Sequence, residues 1–192
     1  MTKRAAGPGG TTPRPTDDRT LATLAAAGDR SAFESIYRAH ADRTFGLLTR
    51  LVGPDRERED LLQETFVRLH AALPRYRGEA SLITFLYQIA THVALDHLRR
   101  RRPLDELDID GEIDPSATPA EQAARREELA RALALLEKLP PKHRVAFVLR
   151  EVMGYSHEEV AVLVGSFAAT ARMRVNAAKA KLAALSAREG QR

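Results

Sequence analysis

The 192-residue chain is 44% hydrophobic and 29% charged, with a formal net charge of +4 and neither Cys nor Trp. That composition allows packed cores of Leu, Ala and Val in one domain or two small ones. It excludes disulfides, thiolate metal sites and redox sensing by the chain's own thiols, and no segment reaches the ~20 apolar residues of a membrane span.

Residues 1–19 open with basic residues but have no apolar centre, so they read as a disordered tail and not as a secretory signal. Gly28 and Asp29 then break a short apolar run. Ser31 is placed to cap a long helix in which Phe33, Ile36, Tyr37, Leu48 and Leu51 recur at helical spacing, and Gly53-Pro54 stops it. A second helix is expected from near Asp55, burying Leu62, Phe66, Leu69 and Leu73 and ending at Pro74. Arg75 to Ala80 is a loop by its Pro and Gly signals. Ser81 caps a third helix with Leu82, Leu86, Ile89 and Val93 inward.

Pro103 to Pro119 lacks periodicity and is rich in Asp, Pro and Gly, which marks a flexible linker and a domain boundary. Beyond it, Glu121 to Lys138 is helical around Leu129, Leu133 and Leu136. After the Pro140-Pro141 break a further helix is expected to bury Val145, Leu149 and Val152. Ser156 to Glu159 has capping-box spacing, Gly165 supplies a tight turn, and a last helix sets Ala171, Val175, Ala178, Leu182 and Leu185 on one stripe. The expected fold is all-α, with two small helical domains over residues 20–102 and 120–187 joined by the linker.

Charge is distributed unevenly along these elements. Arg75 to Arg102 holds six arginines against Glu79 and Asp96, and the stretch from Ser166 holds six basic residues against Glu189. Pro103 to Glu121 carries seven acidic residues and no basic one. Two cationic surfaces are thus separated by an anionic connector.

The helix from Ser156, the turn at Gly165 and the basic helix after it have the proportions of a helix-turn-helix, whose second helix enters the major groove. That leaves Thr170, Arg172, Arg174, Asn176 and Lys179 to meet base edges and phosphates of a DNA duplex. An amphipathic helix with a solvated basic face is the plainer alternative. On the third helix Gln88, His92, Asp96 and Arg99 step by four, four and three into a polar stripe that runs on to Arg100. With Arg75, Tyr76 and Arg77 in the loop, this stripe combines cations, hydrogen-bonding groups and an aromatic, as holding a single strand requires. His92 and Asp96 also have chelating spacing with His97 adjacent, yet nothing obvious completes a metal site. No phosphate-binding loop or nucleophile elbow is present.

These residues carry a family pattern. Asp60-Leu-Leu-Gln-Glu-Thr-Phe-Val-Arg-Leu69 resembles the region 2 helix by which sigma factors grip the clamp of the RNA polymerase β′ subunit. Arg75 to Ser81 with Phe85 to Ala90 and Ala94 to Arg99 resembles the loop and helix that open and read the −10 element. Leu139 to Arg150 and Gly154 to Val160 are similar to region 4, which binds the −35 element and the β flap. The resemblance is to the two-domain extracytoplasmic-function (ECF) sigma factors. It implies a cytoplasmic transcription initiation factor that is not an enzyme, uses no cofactor and does not insert into the membrane. The partners it implies are core polymerase, promoter DNA and an anti-sigma factor. For core binding it points to Asp60, Gln63 and Glu64, with Leu61 and Phe66 as apolar contact or core, and for strand capture to Tyr76 and His92. His92 stands where the family usually has Asn, Phe85 where it often has Trp, and Ser166 to Ala169 depart from its usual helix start. The competing reading is a stand-alone helix-turn-helix regulator acting without polymerase.

Overall fold

The computed structural model describes residues 15–53, 55–100 and 119–189. Eight α-helices follow one another: α1 Pro15–Ala26, α2 Arg30–Val52, α3 Arg58–Ala72, α4 Leu82–Arg100, α5 Pro119–Glu137, α6 Pro141–Phe147, α7 His157–Leu163 and α8 Ala168–Glu189. The described residues hold no strand. The acidic connector, with Arg101 and Arg102, lies outside the described residues.

Helix α1 begins inside the stretch expected to be tail. Tertiary packing explains it, because Ala22 and Ala25 are buried and His40, itself 2% exposed, meets Asp18 at 3.2 Å. Asp29, not Ser31, caps α2: its Oδ1 accepts from the Ser31 and Ala32 amides at 2.8 and 3.2 Å and from the Ser31 hydroxyl. Those bonds, the Ser31 hydroxyl first, hold the Asp29 carboxyl below its ordinary range. Helix α3 starts three residues later than expected, because Asp55 is drawn into the α2–α3 turn and accepts from the Glu57 amide at 2.8 Å.

Two apolar clusters form. One gathers Ala22, Ala25, Ile36, Phe66, Leu69, Leu73, Leu82 and Leu86 from α1 to the start of α4. The second joins the C-terminal half of α2 and Ala90, Val93, Ala94 and Leu95 of α4 to Val145, Leu149, Val160, Leu163, Ala171 and Val175 of the last three helices. Helix α4 therefore serves both cores, and its second half is the seam along which the N-terminal and C-terminal helical units meet.

Two burial expectations fail. Leu129 is 41% exposed, and the far end of the α5 stripe, Leu133 and Leu136, is only half-buried. Val152 is 58% exposed although Val145 and Leu149 are fully buried. After Phe147 the chain widens into a π-helical turn over Val148–Val152, and the slower rotation per residue carries Val152 away from the core. The capping box at Ser156 forms in both directions, and Gly165 takes φ +62°, a left-handed turn that glycine adopts without strain.

Candidate polymerase and nucleic-acid interfaces

On α3, Asp60 and Gln63 are exposed and Glu64 is partly exposed, whereas Leu61 and Phe66 are each 3% exposed and belong to the cores. The apolar contact expected of those two is thus a core role. Val67, 69% exposed, is the apolar group this face offers, beside Tyr37 and His70 on the same groove. Its place one turn beyond Gln63 and Glu64 was readable from helical spacing. Glu64 accepts from Arg68 at 2.6 Å, Arg68 reaches Asp96 of α4 at 3.3 Å, and Asp96 accepts from Arg99 at 3.1 Å. This relay ties the acidic face of α3 to the cationic stripe of α4.

Arg75 and Arg77 are exposed in the loop before α4. Tyr76 is turned inward: its hydroxyl donates to the Ala80 carbonyl at 2.6 Å and its ring lies 5.2 Å from Phe85. Burial raises the Tyr76 pKa, with Asp18 adding to the effect. In this arrangement Tyr76 clamps its own loop. Gln88 donates to the Val162 carbonyl of α7 at 3.2 Å, and His92 pairs through Nδ1 with the Gln88 carbonyl at 2.8 Å. Arg100 caps the end of α4 by donating to the Asp96 carbonyl.

His92 and Arg99 also face the C-terminal unit. With Leu95, Lys142, Val164, Gly165 and Arg174 they line a cleft of about 120 Å³ along the seam. Four basic side chains converge there and no carboxylate lines it. The helix-turn-helix thus lies against one side of this candidate stripe, where Gln88 is half-buried, while His92, Arg99 and Arg100 are exposed.

The candidates on α8 are exposed to a similar degree. Arg172, Asn176 and Lys179 are exposed, while Thr170 and Arg174 are half-buried. Opposite them Ala171, Val175 and Ala178 are buried. Lys179 is held to Glu151 at 2.9 Å. Two large apolar side chains are exposed here, Phe167 just before the helix and Met173 within it, and Met173 carries no signal beyond its place on the open face. No group of three or more His, Asp or Glu among the described residues is arranged to hold a metal ion, and none of the described helices is long and apolar enough to cross a membrane.

Comparison with known proteins assigns both halves. Residues 36–103 match sigma-70 region 2, and residues 129–182 match sigma-70 region 4. The ECF RNA polymerase sigma factor SigE of Mycolicibacterium smegmatis is 35% identical over 88% of this chain and 68% of its own length. The RNA polymerase sigma factor CarQ of Myxococcus xanthus is 35% identical over 81% of this chain and 89% of its own. The chain belongs to the ECF sigma factors. The solved structure of CnrH in complex with the cytosolic domain of CnrY shares its fold, with a TM-score of 0.62 and 28% identity over 88% of this chain and 96% of that one.

As a sigma factor, the chain directs RNA polymerase to promoters at transcription initiation. The match to region 2 gives no support to a stand-alone helix-turn-helix regulator, which has no use for a polymerase-binding half. In this sigma factor the −10-type and −35-type candidate surfaces come from α4 and α8, and the seam brings His92, Arg99 and Arg174 to one cleft.

Proposed function

We propose that this sigma factor divides its work among three surfaces. The outer face of α3, with Asp60, Gln63, Glu64 and Val67, docks on the β′ clamp of core polymerase. The stripe Gln88, His92, Asp96, Arg99 and Arg100, with Arg75 and Arg77, holds the opened −10 strand, and Tyr76 joins it if its loop releases the hydroxyl. The face of α8 with Thr170, Arg172, Arg174, Asn176 and Lys179 reads the −35 duplex. The domain division follows the same lines, with residues 20–102 and 120–187 as separable units. The factor works in the cytoplasm, catalyses no reaction itself and takes an anti-sigma partner, a reading supported by the likeness to CnrH in its complex with CnrY.

The observation that carries this reading is the separation of sign by surface. An acidic, partly apolar face on α3 suits a basic protein partner, whereas the cationic faces of α4 and α8 suit phosphates. Purified protein added to core polymerase is expected to start transcripts at defined sites. Asp60→Lys combined with Gln63→Lys is expected to weaken core association at least tenfold at moderate salt, with −35 duplex binding retained. Unchanged core association would remove α3 from the interface.

A further inference from the structure

We propose that Met173, assisted by Phe167, reads thymine methyl groups in the −35 duplex, a specificity element that rests on the −35 role of α8. Helix α8 buries Ala171, Val175 and Ala178, and the stripe turned away from the core is Ala169, Arg172, Met173 and Asn176. Met173 is 60% exposed in the middle of that stripe. Phe167, at the entry to the helix, is 82% exposed, the most open of the large apolar side chains among the described residues. Neither packs on either core cluster.

Isolated exposed apolar residues are common on protein surfaces and need no partner. These two differ in their setting. They stand at the N-terminal end of the helix, the end that contacts base edges in a helix-turn-helix, and Met173 is flanked by Arg172 and Asn176. Arg suits the two acceptors of guanine and Asn suits the donor and acceptor of adenine. The thymine C5 methyl is the one apolar group on a major-groove edge, and an apolar side chain is its complement. Ala169, one turn before Met173, leaves room for the groove wall to approach. The stripe thus offers one chemistry for each of three bases. A protein partner would also accept two apolar side chains, but it would gain nothing from an arginine and an amide placed at base-reading spacing between phosphate-seeking cations.

The test uses holoenzyme reconstituted from the full chain, selecting from two promoter libraries randomised across the −35 element. One library contains thymine, and the other contains deoxyuridine at the same positions, which removes only the methyl. Each contacted methyl is worth roughly fourfold in affinity, the effect of burying one such carbon. The expected result is a −35 motif with thymine at one or two positions in the first library and no uracil preference at those positions in the second. Met173→Ala is expected to lose the thymine preference while keeping any guanine and adenine preferences, and Met173→Leu to retain it. The same motif in both libraries, or an unchanged thymine preference in Met173→Ala, would overturn the proposal with the −35 role of α8 intact. Absence of any −35 motif, with initiation still occurring, would overturn that role and this proposal together.

Discussion

The two cationic helices carry charge of the same sign but meet their surroundings differently. Helix α4 is stitched down: Asp96 engages Arg68 and Arg99, Gln88 reaches across to Val162, and His92 faces the turn at Gly165. Helix α8 keeps Arg172 and Asn176 open, and its one described ion pair, Lys179 to Glu151, lies farther along the helix. A duplex can approach α8 in this arrangement. On α4 His92, Arg99 and Arg100 are exposed as well, but a strand following the whole stripe would need Gln88 released from α7. Charge of one sign is thus held in two ways, engaged across the seam on α4 and open on the outer face of α8.

The strongest way to break that comparison is to fix the seam. The chain has no Cys, so Gln88→Cys with Val162→Cys supplies a unique pair where the Gln88 amide now reaches the Val162 backbone carbonyl. Bridging the pair with a short bismaleimide is expected to abolish initiation by the reconstituted holoenzyme while leaving −35 duplex binding within about twofold. Full initiation by the bridged protein would show that α4 works without opening.

Next in size is the anchor on the other side of α4. His97 is 6% exposed, its Nε2 lies 2.7 Å from Asp55 and its Nδ1 3.4 Å from Glu57. Both ring nitrogens thus face carboxylates, and the pair with Asp55 is shielded from water. Leaving a buried hydrogen-bonding group without its partner costs about 1 to 3 kcal/mol. His97→Ala is expected to lower stability by that order in urea unfolding, and a loss below about 0.5 kcal/mol would show that the helix end is held by packing alone.

On α8, Arg172→Ala is expected to weaken −35 binding by roughly tenfold or more, the scale of a lost base contact. Lys179→Ala is expected to act less, because its ammonium already has a carboxylate partner, and to act equally on all duplex sequences. Titrations on matched and mismatched duplexes separate the two. Equal sequence-dependent losses would erase the distinction between the base-reading and phosphate-binding ends of the helix.

How much of this was legible beforehand depended on whether a local rule was sufficient. The capping box at Ser156 and the turn at Gly165 follow from short-range spacing and form as read, and the α8 stripe is buried at Ala171, Val175 and Ala178 but only half-buried at Leu182 and Leu185. Val152 could not be placed, because its position depends on a π-helical turn that an even helical count does not contain. Leu61 and Phe66 belong to a motif that resembles a binding helix, yet helical spacing sends them inward and leaves Val67 outward. The bond from Gln88 to Val162 is a tertiary fact between residues more than 70 apart, and no periodicity records it.

The smallest effects concern the helix starts, and they fall in opposite halves of the molecule. Asp29 caps α2 and Glu159 closes the capping box of α7. Both carboxyls are held below their ordinary range by bonds to the ionised form, Asp29 first by the Ser31 hydroxyl and Glu159 first by the Ser156 amide. A carboxyl with a depressed folded pKa contributes its full stability above the unfolded values of about 4, and loses it as pH falls through the lower folded value. Both caps should therefore weaken between about pH 5 and pH 3. Asn at position 29 and Gln at position 159 keep an acceptor without a proton to gain. Thermal melts of Asp29→Asn and Glu159→Gln are expected to fall less steeply with acid than the parent protein. If only one of the two flattens the slope, the acid sensitivity belongs to one half of the sigma factor, and the α2 and α7 starts are not equivalent.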